Sequence, residues 1–247
     1  MSTLSNQYGN DVIGGSLASQ RTQDTATVGQ EVELRVQPVR GKRPGSAKIA
    51  ITVDRTGSTS AFQQGVPLIA GHALRSLAGT ISKLDIDLSS HGDEDFGEMP
   101  IQLVQSGTAE HIIEAIEGIT YGGGFDEPES HAQALQRLLD ITPWGLRMLY
   151  CRNVAMGFLT ADTKPLSSGK SMRQLGQDYK AKGVKLILVC QPTPNLQELV
   201  DAAGGFLIPI SNDPDNAEIQ KVVAALCATL TITMSSAGGT IPMSAVV

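Results

Sequence analysis

The 247-residue chain has no surplus of basic charge: 19 Lys and Arg stand against 25 Asp and Glu, a net charge of −6. A nucleic-acid partner is therefore not expected, because binding a phosphate backbone needs clustered cations. The local basic cluster, Arg35, Arg40, Lys42, Arg43 and Lys48, reads as a solvated loop and strand edge. Cysteine is scarce and odd in number. Cys151, Cys190 and Cys227 stand far apart, and the last two sit in apolar runs, so buried free thiols and a reducing, cytoplasmic compartment are expected. The first 30 residues lack a basic-then-apolar leader, so no secretory signal is expected. The apolar run at 222–234 is too short and too threonine-rich to span a bilayer, so no membrane partner is expected. Several chemistries are missing as well. The glycine run at 122–124 lacks the Gly-Lys-Ser/Thr ending of a phosphate cradle, and no Ser-His-Asp or Cys-His set is apparent. His72, His111 and His131 lie in separate helical segments without a second ligand at metal spacing, and read as surface or half-buried residues. The stretch His91-Gly92-Asp93-Glu94-Asp95 fits neither a tetrahedral nor an EF-hand pattern and reads as an acidic hairpin tip.

What is present is a regular alternation of strand and helix patterns. Residues 1–30 are rich in Ser, Thr, Gln, Gly and Asn without periodicity, which predicts an irregular arm. Alternation at Val32, Leu34 and Val36 predicts a half-exposed strand, and 47–53 a buried one. Phe62, Val66, Ile69, Ala73, Leu77 and Ile81 recur at helical spacing, with Pro67 marking the helix start or a kink. Strands follow at 84–88 and 101–104, then a short helix at 108–118. A helix starting at Pro128 is next, then a strand at 154–159, a helix at 171–182 stopped by Gly183 and a strand at 184–190. A helix at 195–203, an edge strand at 206–210 and a closing helix from 215 to about 231 complete a domain spanning 31–235, with a tail at 236–247. This order predicts an α/β fold, Rossmann-like and doubly wound, with a mostly parallel central sheet and helices on both faces.

The chemistry gathers where the strand at 49–53 runs into Asp54-Arg55-Thr56-Gly57-Ser58. A carboxylate and two hydroxyls at alternate positions of one turn are hard oxygen ligands, suited to Mg²⁺ or Mn²⁺. In doubly wound sheets ligands bind beyond the carboxyl ends of strands where the winding reverses. The strand leading to Asp54 and the one leading to Asp162 are expected to flank that reversal.

These segments together resemble the von Willebrand factor type A domain. Its Asp-x-Ser-x-Ser turn appears as Asp54-Arg55-Thr56-Gly57-Ser58, with threonine keeping the hydroxyl. A glycine-rich variant of its second loop appears as Gly122-Gly123-Gly124-Phe125-Asp126-Glu127-Pro128-Glu129, and its aspartate after the fourth strand as Asp162. The resemblance covers roughly 47–231 and implies sheet order 3-2-1-4-5-6 with the third strand antiparallel. It further implies a metal-ion-dependent adhesion site of Asp54, Thr56, Ser58, Asp126 and Asp162 holding Mg²⁺ (or Mn²⁺ or Ca²⁺), with Glu127 and Glu129 as rivals to Asp126. The implied function is an adaptor or scaffold that captures a partner's Asp or Glu on the metal, with Arg55, Phe125, Glu127 and Thr163 on the rim. Cytoplasmic bacterial relatives of this kind work beside ATPases or stress-response proteins. Two other functions compete: a Mg²⁺-dependent phosphohydrolase or phosphotransferase using Asp54, and a structural subunit whose metal only stabilises the fold.

Overall fold

The computed structural model describes residues 45–98, 100–124, 127–145 and 151–235. The expected arm at 1–30, the strand at 32–36, the tail at 236–247, and Phe125 and Asp126 lie outside them. In chain order the elements are β1 (Ser46–Asp54), α1 (Gly65–Ala78), β2 (Lys83–His91), β3 (Ile101–Gly107), α2 (Ala109–Glu117) and α3 (His131–Ile141). They continue with β4 (Cys151–Phe158), α4 (Met172–Lys182), β5 (Val184–Cys190), α5 (Pro194–Ala203), β6 (Phe206–Pro209) and α6 (Asn216–Ser235). The sheet runs β3-β2-β1-β4-β5-β6. All neighbours are parallel except β3, which is antiparallel to β2.

Interior parallel strands are buried on both faces, and side chains alternate between them. Ile49, Ile51 and Val53 of β1 join Val154, Met156 and Phe158 of β4 in the core beneath α1, α2 and α6. Ala50 and Ala155 face the other way, into the core of α3, α4 and α5. By length and composition α6 is apolar enough to cross a membrane. In the fold, its Val222, Val223, Leu226 and Leu230 are buried in the first core, where the helix packs on α1.

Two departures from the expected pattern position the site. Pro67 sits in the first turn of α1, where a missing N–H is harmless. Pro128, by contrast, precedes α3 by three residues. Glu129 is held extended between the two: its N–H donates to the Asp162 carbonyl at 2.9 Å, and its own carbonyl accepts from the Lys164 N–H at 2.8 Å. That bridge forbids helical dihedrals at 129, so the helix begins only at His131.

The second departure is Lys48, which is buried rather than solvated. It shares a face of β1 with Ala50, Thr52 and Asp54, while Asp85, Asp87, Ser89 and His91 line the same face of β2 by register. Lys48 Nζ lies 2.8 Å from Asp87 and 3.2 Å from Asp85, with Lys48 3% exposed and Asp87 4%. A buried pair is costly to break from one side, because the remaining charge has no water to compensate it. Lys48→Ala is expected to lose about 3–5 kcal/mol in urea unfolding, and Lys48→Met with Asp87→Leu to recover most of that loss.

Candidate metal centre

Alternation along β1 places Thr52 and Asp54 on one face, and the parallel register sets His91, the last residue of β2, directly beside Asp54. The chain beyond β1 turns sharply. The Asp54 carboxylate receives the Thr56 N–H at 2.9 Å and the Thr56 hydroxyl at 2.8 Å, both on Oδ1. Thr56 Oγ1 lies 2.9 Å from Ser58 Oγ. Oδ2 accepts from the Thr160 hydroxyl at 2.8 Å, and Thr160 Oγ1 in turn lies 3.2 Å from Ser58 Oγ and 3.0 Å from Thr59 Oγ1. Asp54, Thr56, Thr59 and Thr160 are all fully buried.

The glycine loop closes over this turn through the backbone. The Gly122 N–H donates to the Arg55 carbonyl and the Gly57 N–H to the Gly123 carbonyl, each at 2.9 Å. Gly124 has φ +62°, and a Cβ there would lie 2.7 Å from Thr56 Cβ and 3.0 Å from Glu129 Oε1. Only glycine lets the loop approach this closely. The loop thereby delivers Glu129 beside Thr56, 2% exposed, with its Oε2 lacking a hydrogen-bond partner among the described residues.

This topology matches solved structures. The chain superposes on the crystal structure of the SpRpn10 VWA domain with a TM-score of 0.51 at 14% identity, over 72% of this chain and 93% of that one. The likeness to proximal thread matrix protein 1 from the mussel byssus, solved with a zinc-occupied MIDAS motif, has a TM-score of 0.52 at 14% identity, over 74% of this chain and 46% of that one. The fold is that of a von Willebrand factor type A domain. At 14% identity these likenesses are ones of fold. No protein-family model matches the sequence, and no curated protein matches it.

Within this fold, three of the expected ligands, Asp54, Thr56 and Ser58, stand together. Asp162 points elsewhere: Oδ1 accepts from the Thr163 N–H at 2.8 Å and the Thr193 hydroxyl at 2.5 Å, and Oδ2 from Asn195 Nδ2 at 3.0 Å. From that loop Thr160, not Asp162, hydrogen-bonds Asp54. β4 ends at Phe158, and past it strand alternation no longer governs which side chain faces inward. Of the expected rim, Arg55 is half-buried and Glu127 exposed. Thr163 is 2% exposed, because its hydroxyl accepts the Ala132 N–H at the start of α3 at 2.7 Å. It is thus withdrawn from the rim.

The expected acidic hairpin tip is corrected at Asp93, and of the three histidines expected at or near the surface His72 and His111 are exposed while His131 is buried. Asp93 is fully buried, bonded by Ser130 Oγ at 2.7 Å and by Lys164 Nζ at 2.6 Å. His91 and His131 are also buried and touch each other, His91 Nε2 lying 3.0 Å from His131 Nδ1. Burial drives His91 down to about 3, the neighbouring His131 adding to the effect and the Asp54 charge opposing it. Burial lowers His131 as well, so both imidazoles are neutral near pH 7.

The donors fit a hard divalent cation. Hydroxyl and carboxylate oxygens dominate around Thr56, an orphan carboxylate oxygen sits among them, and Lys164 is engaged by Asp93 and Asp95. Glu129 registers the unbalanced negative charge. Burial first, then the Asp54 and Asp93 charges, push its carboxyl up to about 7 from the ordinary 4.5. An acid with a raised folded pKa stabilises the fold below its unfolded value, and that stability disappears as pH rises through the folded value. Without metal, raising the pH from 4.5 to above 7 is expected to cost on the order of 3 kcal/mol through Glu129. Urea unfolding in EDTA at both pH values checks this, with Glu129→Gln flattening the difference.

Proposed function

We propose that this domain is a divalent-cation-dependent protein-interaction module, an adaptor or scaffold whose metal sits at Asp54, Thr56 and Ser58. The observation that carries the reading is the buried Asp54 carboxylate ringed by hydroxyls, with the orphan oxygen of Glu129 beside it. The site lies beyond the carboxyl ends of β1 and β4, where the doubly wound sheet reverses its winding. The metal is Mg²⁺ or Mn²⁺, by the preference of such ions for oxygen. When bound, the cation supplies a positive charge and an open position for a partner's Asp or Glu.

The chain's own residues do the rest. Asp54 neutralises part of the ionic charge, and its hydrogen bonds keep Thr56 and Thr160 aimed inward. Glu129 completes the set from the glycine loop, with Asp126 of that loop as a further ligand. Asp162, tied to Thr193 and Asn195, fixes the loop that carries Thr160 and stands in the outer shell. Arg55 and Glu127 line the rim and select the partner, and Phe125 is assigned to the same selection. The mussel byssus neighbour, described with a zinc-occupied MIDAS motif, supports a metal at such a turn. The Rpn10 neighbour supports the A-domain frame.

Two measurements test this. In calorimetry, Asp54→Asn and Ser58→Ala are each expected to weaken Mg²⁺ binding by at least about tenfold, on the order of 1.4 kcal/mol. In a pull-down from native lysate, a partner retained with Mg²⁺ is expected to be released by EDTA and absent with Ser58→Ala. An identical set of retained proteins under all three conditions would exclude metal-dependent capture.

A further inference from the structure

Oδ1 of Asp54 is engaged by the Thr56 turn, but Oδ2 has a second neighbour besides Thr160: His131 Nε2, 3.9 Å away. At that distance no hydrogen bond forms. His131 Nε2 is fully buried and has no hydrogen-bond partner among the described residues. Its other nitrogen meets His91 Nε2 at 3.0 Å, and His91 Nδ1 lies 2.9 Å from Thr52 Oγ1. The two rings stand edge to face at an interplanar angle of 88°. One donor atom from each of Asp54, His91 and His131 falls within 4.8 Å of the others, and all three side chains are at most 1% exposed.

Two features of this cluster are poorly explained by packing alone. A buried nitrogen without a partner is costly, whichever tautomer the ring adopts. Among the described residues no Lys or Arg forms an ion pair with the buried Asp54 carboxylate, which requires a balancing cation. Three separate elements, the ends of β1 and β2 and the start of α3, converge to create the arrangement. Two imidazoles and a carboxylate are the donor set of borderline transition ions, whereas Mg²⁺ prefers oxygen alone.

We infer that Asp54, His91 and His131 form a buried site for a zinc-class divalent ion, distinct from the oxygen-lined turn and sharing Asp54 with it. Binding exchanges the His91 Nε2–His131 Nδ1 hydrogen bond for metal–nitrogen bonds to His91 Nε2 and to His131 Nε2, the nitrogen that lacks a partner. The fourth position is filled by water or by the Thr160 hydroxyl. The site does not depend on the interaction reading: it is defined by nitrogen ligands that the Thr56–Ser58 turn does not contain.

The test uses the full chain, stripped of metal and then held in excess Mg²⁺. Co²⁺ titration is expected to give intense visible d–d bands saturating at one equivalent, displaced by stoichiometric Zn²⁺ but not by further Mg²⁺. His91→Gln and His131→Gln should each remove the bands and weaken Zn²⁺ binding about 100-fold, while Ser58→Ala keeps them and loses only Mg²⁺. No bands, bands unchanged in both histidine variants, or displacement by Mg²⁺ would each overturn the site. If the histidine variants do not fold, imidazole nitrogen NMR of the unsubstituted chain decides. The His91 and His131 resonances must shift with one equivalent of Zn²⁺, and unshifted resonances overturn it.

Discussion

Everything at the carboxyl edge of the sheet is arranged around one buried charge. Asp54 has no exposed surface, so its carboxylate must find in the protein what water would have supplied. It takes an N–H and a hydroxyl from its own turn and a second hydroxyl from the loop after β4. Those demands bring the Thr56–Ser58 turn and Thr160 together across the β1–β4 crossover. The glycine loop then seals the turn by backbone hydrogen bonds to Arg55 and Gly57. Neutral donors orient a buried carboxylate but do not balance its charge, and Glu129 beside it adds to the deficit. A divalent cation answers both.

The fold was legible because its information is local and periodic. Alternating apolar residues, helix faces and punctuating glycines specified the order of elements, and the doubly wound topology follows from parallel strands needing crossovers. The Asp54 turn was legible for the same reason: its carboxylate and two hydroxyls lie within five residues. Residues that depend on register or loop path were not. Lys48 looked like part of a basic surface cluster until the β1–β2 register set it against Asp87. Thr160 and Asp162 both follow β4 closely, and only the course of the loop decides which one turns toward Asp54.

The histidines were the hardest to read. His91 and His131 are forty positions apart and neither has a ligand-spaced partner in the sequence. What joins them is the alignment of Asp54 with His91 across two strands, plus the delayed start of α3 that the extended Glu129 imposes. The same bridge that spoils the expected helix at Pro128 thus places both Glu129 and His131 at the centre. Asp54 then meets two donor sets: hydroxyls of Thr56 and Thr160 on its two oxygens, and the buried His131 imidazole beside Oδ2.

Anomalous diffraction would show whether Asp54 serves both donor sets. Crystals of the full chain grown with Mn²⁺ and Zn²⁺ would be measured at both absorption edges. A manganese peak bonded to Asp54 and Ser58 is expected, with a separate zinc peak bonded to Asp54 and both imidazoles. A single shared peak, or none beside Asp54, would contradict this expectation.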